Sequence, residues 1–114
     1  MLRCKASVRF KVLRKEVWSL FPIIEAIFIE HLAGAVITCG TEAHGENDPH
    51  TNGYALDIRS KNLSSSTVKH TILSQLRAAT GPDYTVLLES EGLENEHFHL
   101  QIRKGLWRSL LSDS

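Results

Sequence analysis

Residues 94–103 read ENEHFHLQIR, and the alternation inside this stretch decides how the chain folds. Successive side chains of a strand point to opposite faces. His97, His99 and Gln101 therefore share one face, and Phe98, Leu100 and Ile102 share the other. An apolar face beside a polar one describes a strand buried on one side only, as antiparallel sheets allow. Residues 54–60, YALDIRS, repeat the pattern with Tyr54, Leu56 and Ile58 against Ala55, Asp57 and Arg59. If the two strands are neighbours, Asp57 and both histidines project from the same side of one sheet.

Outward from these strands the chain divides into short elements. Residues 6–12, ASVRFKV, alternate and read as a half-buried strand. Residues 19–32 place Leu20, Ile23, Ile24, Ile27, Phe28 and His31 at helical spacing. Pro22 belongs in a first turn, so this helix should begin close to it, and Gly34 is a suitable stop. AVITC, 35–39, is a β-branched run suited to a buried strand. Residues 40–53, GTEAHGENDPHTNG, form a long loop, the kind that often carries function. A helix is expected over 64–80, opened by capping serines. A strand is expected over 84–90, a turn at EGLENE and a closing helical turn at 105–111. The order β-α-β-β-α-β-β predicts one α+β domain over residues 1–114, with a mostly antiparallel sheet and helices packed on one face.

Composition limits the function. The 114 residues suit a single domain, with 42% hydrophobic and 23% charged residues. Thirteen basic and thirteen acidic residues cancel, which removes the electrostatic case for nucleic acid. The longest apolar run, near Phe21 to Ile29, is interrupted by Pro22 and Glu25, so membrane insertion is not expected. No signal-peptide core is visible, which reads as cytoplasmic synthesis. Cys4 and Cys39 do not make a disulfide framework and read as reduced thiols.

The polar residues suggest metal chemistry. Zinc takes imidazole nitrogen and carboxylate oxygen, and catalytic sites use three protein ligands with a position left for water. His50 ends the long loop, Gly53 lets it bend tightly, and Ala55 leaves room between His50 and Asp57. Two histidines and one carboxylate from separate elements would meet the requirement, and Glu96 beside them would serve as base. Residues of these types on a polar strand face are also ordinarily solvated, and from the residues alone both readings stand. His44 reads first as a solvated loop residue, with contact to substrate or a second metal as the alternative. His31 and His70 read as helix-surface or edge residues, and Trp18 and Trp107 as packing anchors.

His50-Thr-Asn-Gly53-Tyr-Ala55-Leu-Asp57 resembles the His-x-x-Gly-x-Ala-x-Asp signature of the zinc-dependent D-alanyl-D-alanine carboxypeptidase superfamily, the M15-type peptidoglycan peptidases. Glu96-His97-Phe98-His99 resembles its second signature, acid-His-x-His. The resemblance spans roughly residues 20–103 and implies a hedgehog/DD-peptidase-like fold. It implies His50, Asp57 and His99 as zinc ligands, Glu96 as catalytic base and His97 as the neighbour that stabilises the oxyanion. A second register has the same Glu-x-x-His spacing, Glu94 with His97, and since both histidines share a face alternation does not choose. The acid directly before the first histidine favours Glu96 with His99. Where many members carry Ser two residues before the first ligand, Asp48 stands here, and Arg59, Asp48 and His44 are the candidate substrate contacts. The family's Ser-Gly-Tyr-Arg is replaced by Cys39-Gly40-Thr41-Glu42, without the arginine that grips a terminal carboxylate. This favours an endopeptidase over a carboxypeptidase. The implied activity is hydrolysis of bacterial cell-wall peptides, as in a phage lysis enzyme that reaches the wall after release. A catalytically silent zinc domain and a metal-free virion-associated protein are the two other readings.

Overall fold

The computed structural model describes residues 2–6, 8, 13–39 and 53–103. The elements run β1 (Arg3–Cys4), α1 (Lys15–Trp18), α2 (Phe21–Glu30), β2 (Val36–Cys39), β3 (Ala55–Arg59), α3 (Ser66–Thr80), β4 (Tyr84–Glu89) and β5 (His97–Ile102). The fold is α+β around a five-stranded sheet in the order β1-β2-β3-β5-β4. β1 joins β2 in parallel, and the three other pairings are antiparallel. The mostly antiparallel sheet expected from the alternation is therefore present.

Local chemistry explains the element ends. Ser65 caps α3 in an extended conformation, its side chain accepting the Val68 N–H at 3.2 Å, and Gly81 closes the helix at φ 80°. α2 carries Pro22 in its first turn, where a missing N–H costs nothing. It ends at Glu30, four residues before Gly34. Leu32 takes the left-handed conformation at φ 57°, and Ala33 N–H donates back to Phe28 O at 3.1 Å. Of the strand expected over 6–12 only Ala6 and Val8 are described, and neither is in a strand. The pairing lies earlier, at Arg3–Cys4, because Arg3 and Lys5 N–H donate to Ala35 and Ile37 carbonyls at 2.8 Å each. Ala6 sits in a turn, and residues 7 and 9–12, like the helical turn expected at 105–111, lie outside the described residues.

One hydrophobic cluster joins both long helices to one face of the sheet. Ile24 and Phe28 from α2 and Ile72 and Leu76 from α3 share it with Ile37, Leu56, Ile58, Phe98 and Leu100. Phe28 meets Phe98 edge-on, with ring centroids 6.0 Å apart and planes at 85°, a geometry worth about 1 kcal/mol beyond area burial. Trp18 is no packing anchor: it is 51% exposed. Trp107 lies outside the described residues. His31 joins the end of α2 to α3 through Gln75 Oε1 at 2.8 Å, and His70 pairs with Glu91 at 2.7 Å. Since the helices cover one face of the sheet, the other is left to the polar residues of β3, β4 and β5. Among the described residues no helix is long and apolar enough to cross a membrane.

Candidate metal centre on the open face of the sheet

Strand register builds the site. β5 lies between β3 and β4, so each of its residues has a cross-strand neighbour on both sides. Asp57, His99 and Leu87 form one row, and Arg59, His97 and Glu89 form the next. Diagonal neighbours in adjacent rows are within reach of long side chains. Asp57 thus meets His99 directly and His97 diagonally, and Glu89 does the reverse. His99 Nδ1 lies 2.8 Å from Asp57 Oδ1, and His97 Nε2 lies 3.6 Å from Asp57 Oδ2. Glu89 Oε1 is 3.3 Å from His97 Nε2 and 3.7 Å from His99 Nδ1.

The two histidines are held differently. His97 Nδ1 faces the Asn95 carbonyl at 2.7 Å. A carbonyl only accepts, so Nδ1 carries a hydrogen, and the ring turns its Nε2 toward Asp57 and Glu89. Nε2 and the two carboxylates converge on one small region, where the ring can donate to Glu89 or, with its lone pair free, join the carboxylates as a ligand. His99 has an acceptor on each nitrogen, Asp57 at 2.8 Å and Gln101 Oε1 at 2.6 Å. Burial pushes its pKa down, but the hydrogen bonds to Asp57 and Gln101 and the charges of Asp57 and Glu89 outweigh this and raise it. His99 is therefore suited to donate from both nitrogens as an imidazolium.

Asp57, Glu89 and His97 form a group able to hold a metal ion, each offering one ligand atom, all within 4.8 Å of one another. The donor set suits a hard or borderline divalent ion. Ligands about 2.1 Å from a tetrahedral zinc stand about 3.4 Å apart. The 3.3 and 3.6 Å separations from His97 Nε2 match that spacing. A cleft of about 340 Å³ opens beside the group, lined among others by Asp57, Arg59, Lys61, Glu94, Glu96 and His97.

The expected residues divide accordingly. Asp57, His97 and His99 are brought together. His50, Asp48 and His44 lie outside the described residues. Arg59 is exposed at the cleft, beside His97 in the register. Glu96 is spoken for. Its Oε1 accepts from Ser60 Oγ at 2.6 Å and pairs with Lys69 Nζ at 2.7 Å, and its Oε2 accepts the Gly92 N–H at 2.8 Å. Burial would raise its pKa, but the Gly92, Lys69 and Ser60 hydrogen bonds and the Lys69 charge bring it down to about 2. A carboxylate so stabilised is a weak base. Glu94, two residues earlier, is exposed and lines the cleft with Asp57 and His97. The glutamates of both registers line the cleft, Glu94 exposed and Glu96 tied by its hydrogen bonds.

Glu89 escaped the sequence reading. Its signal was the alternation of YTVLLE, which sets Thr85, Leu87 and Glu89 on one face, together with a short turn that pairs this strand with β5. No protein-family model, no curated protein and no solved structure matches this chain.

Proposed function

We propose that the protein is a zinc-dependent peptidase that hydrolyses peptide bonds in bacterial cell-wall peptides, with activity at the wall after release from the cell. The observation that carries this reading is the His97 ring, oriented by the Asn95 carbonyl so that Nε2 faces two carboxylates at tetrahedral-edge distances. Asp57, His97 and Glu89 are assigned as the three ligands, which leaves the fourth position for water; His50, the ligand the resemblance implies, lies outside the described residues. A bound zinc would polarise the scissile carbonyl and lower the pKa of water from ~16 to roughly 7. Glu94, at the cleft beside His97, is assigned as the base that takes the proton from the attacking water and passes it to the leaving amine. His99 holds Asp57 by its Oδ1, leaving Oδ2 turned toward His97. Arg59 and Lys61 at the rim suit an anionic group of the substrate, the part otherwise given to the missing family arginine.

A catalytically silent zinc domain is favoured by one observation: Glu96, the acid adjoining the histidines, is tied to Lys69 and Ser60. The deciding test is therefore Glu94→Gln. Purified peptidoglycan is digested with the zinc-loaded protein, and the fragments are read by mass spectrometry. New internal amino termini from the wild type, with their loss in Glu94→Gln at unchanged zinc content, support the proposal. No released fragments from a zinc-loaded wild type would leave the silent domain.

A further inference from the structure

The buried cluster around Glu96 sits outside the metal group, yet it controls the segment that supplies it. Glu96 is 7% exposed and Ser60 fully buried. Three elements converge on this one carboxylate: the end of β3 through Ser60, α3 through Lys69, and the turn after β4 through Gly92. That turn needs unusual backbone at two points, Ser90 at φ 53° and Gly92 at φ 79°. It closes on itself through Leu93 N–H to Ser90 O at 2.9 Å and Glu96 N–H to Leu93 O at 3.1 Å. The peptide unit between Asn95 and Glu96 is then fixed from both ends. Its N–H is bound to Leu93, and its carbonyl is the acceptor for His97 Nδ1.

We infer that Glu96 is a positioning residue: by anchoring the turn to α3 and β3 it fixes the Asn95 carbonyl, and through it the tautomer and direction of the His97 ring, as well as the placement of Glu94 at the cleft. The metal part of this inference rests on the function proposed above; the tautomer part does not. Phase along the strand supports the assignment. Glu96 is in register with Phe98 and Leu100, so its side chain enters the helix side of the sheet, while His97 enters the open side. One residue therefore braces the turn from beneath, and the next carries the imidazole above it.

The experiment compares wild type, Glu96→Gln and Ile24→Val, a core change in α2 away from the turn. Two readouts are taken on the full chain at mildly alkaline pH. Long-range proton–nitrogen NMR of the metal-free protein reports the His97 tautomer, and cobalt(II) titration followed by its visible spectrum reports affinity and ligand geometry. Wild type should show the hydrogen on Nδ1 of His97. Glu96→Gln should show mixed tautomers, a roughly 10–100-fold weaker cobalt affinity and an altered spectrum. Ile24→Val should lose stability with both readouts unchanged, which separates positioning from general loosening. A folded Glu96→Gln with wild-type tautomer and wild-type cobalt affinity would overturn the inference. If wild type takes no cobalt while Glu96→Gln still scrambles the tautomer, positioning stands and the metal reading falls. Should Glu96→Gln fail to fold, Ser60→Ala removes one of the three hydrogen bonds and must move both readouts the same way, less far; no movement would again overturn it.

Discussion

Two charged clusters flank the start of β5, and they differ in what their carboxylates face. The one beneath it is complete. Glu96 has one lysine, one hydroxyl and one backbone N–H for its two oxygens. The one above lies on the open face of the sheet. Asp57 and Glu89 face His97 Nε2, and His99 bonds Asp57 from the neighbouring row. A closed cluster contributes to folding and resists chemistry. A group of ligand atoms on the open face can take a cation. Adjacency in sequence does not tell the two apart, since Glu94, Glu96 and His97 lie within four residues.

The largest effect should come from a residue that belongs to neither cluster but borders the open one. Glu94→Gln should lower hydrolysis of peptidoglycan by about 10²–10⁴-fold, with thermal stability close to wild type because the side chain is exposed. Next is the closed cluster. Glu96→Ala strands Lys69 in a mostly buried position and should cost about 3 kcal/mol in urea unfolding. The pH dependence sharpens the contrast. The folded Glu96 carboxyl is depressed from 4.5 to about 2. Its contribution is present in full above the unfolded value and is lost as pH falls through the folded one. The stability gap between wild type and Glu96→Gln should be constant above pH 4.5 and narrow toward pH 2; a gap that widens with acid would contradict the assignment. The smallest effect lies away from both clusters. Ser65→Ala removes the α3 cap and should cost about 1 kcal/mol, with metal affinity unchanged.

Much of this arrangement was legible because a strand has a period of two. The alternation in HFHLQI and YALDI placed Phe98, Leu100, Leu56 and Ile58 in the core and Asp57, His97 and His99 on the open face. The same rule gives the face of Glu96. Extended one residue back from His97, it sets Glu96 in phase with Phe98 and toward the helices. The motif spacing pointed the other way, because Glu-x-x-His occurs twice in this segment and a spacing carries no information about faces. Glu89 was missed for another reason. Its place in the group depends on the pairing of β4 with β5, and a residue becomes a ligand only when register brings it opposite another. The end of α2 was misjudged because Gly34 is the usual stop, whereas an exposed leucine took the left-handed position. His50, His44 and Asp48 fall outside the described residues.

The central claim is that a divalent ion belongs among Asp57, Glu89 and His97, with His99 as the partner that steadies Asp57. Calorimetric titration of the chelator-stripped full chain with zinc tests it most directly, run beside His97→Ala and His99→Ala. The account predicts one zinc per wild-type chain, none in His97→Ala, and binding retained but about 10–100-fold weaker in His99→Ala. Wild-type protein that takes up no zinc, or a His97→Ala variant that binds it as tightly as wild type, would contradict the account.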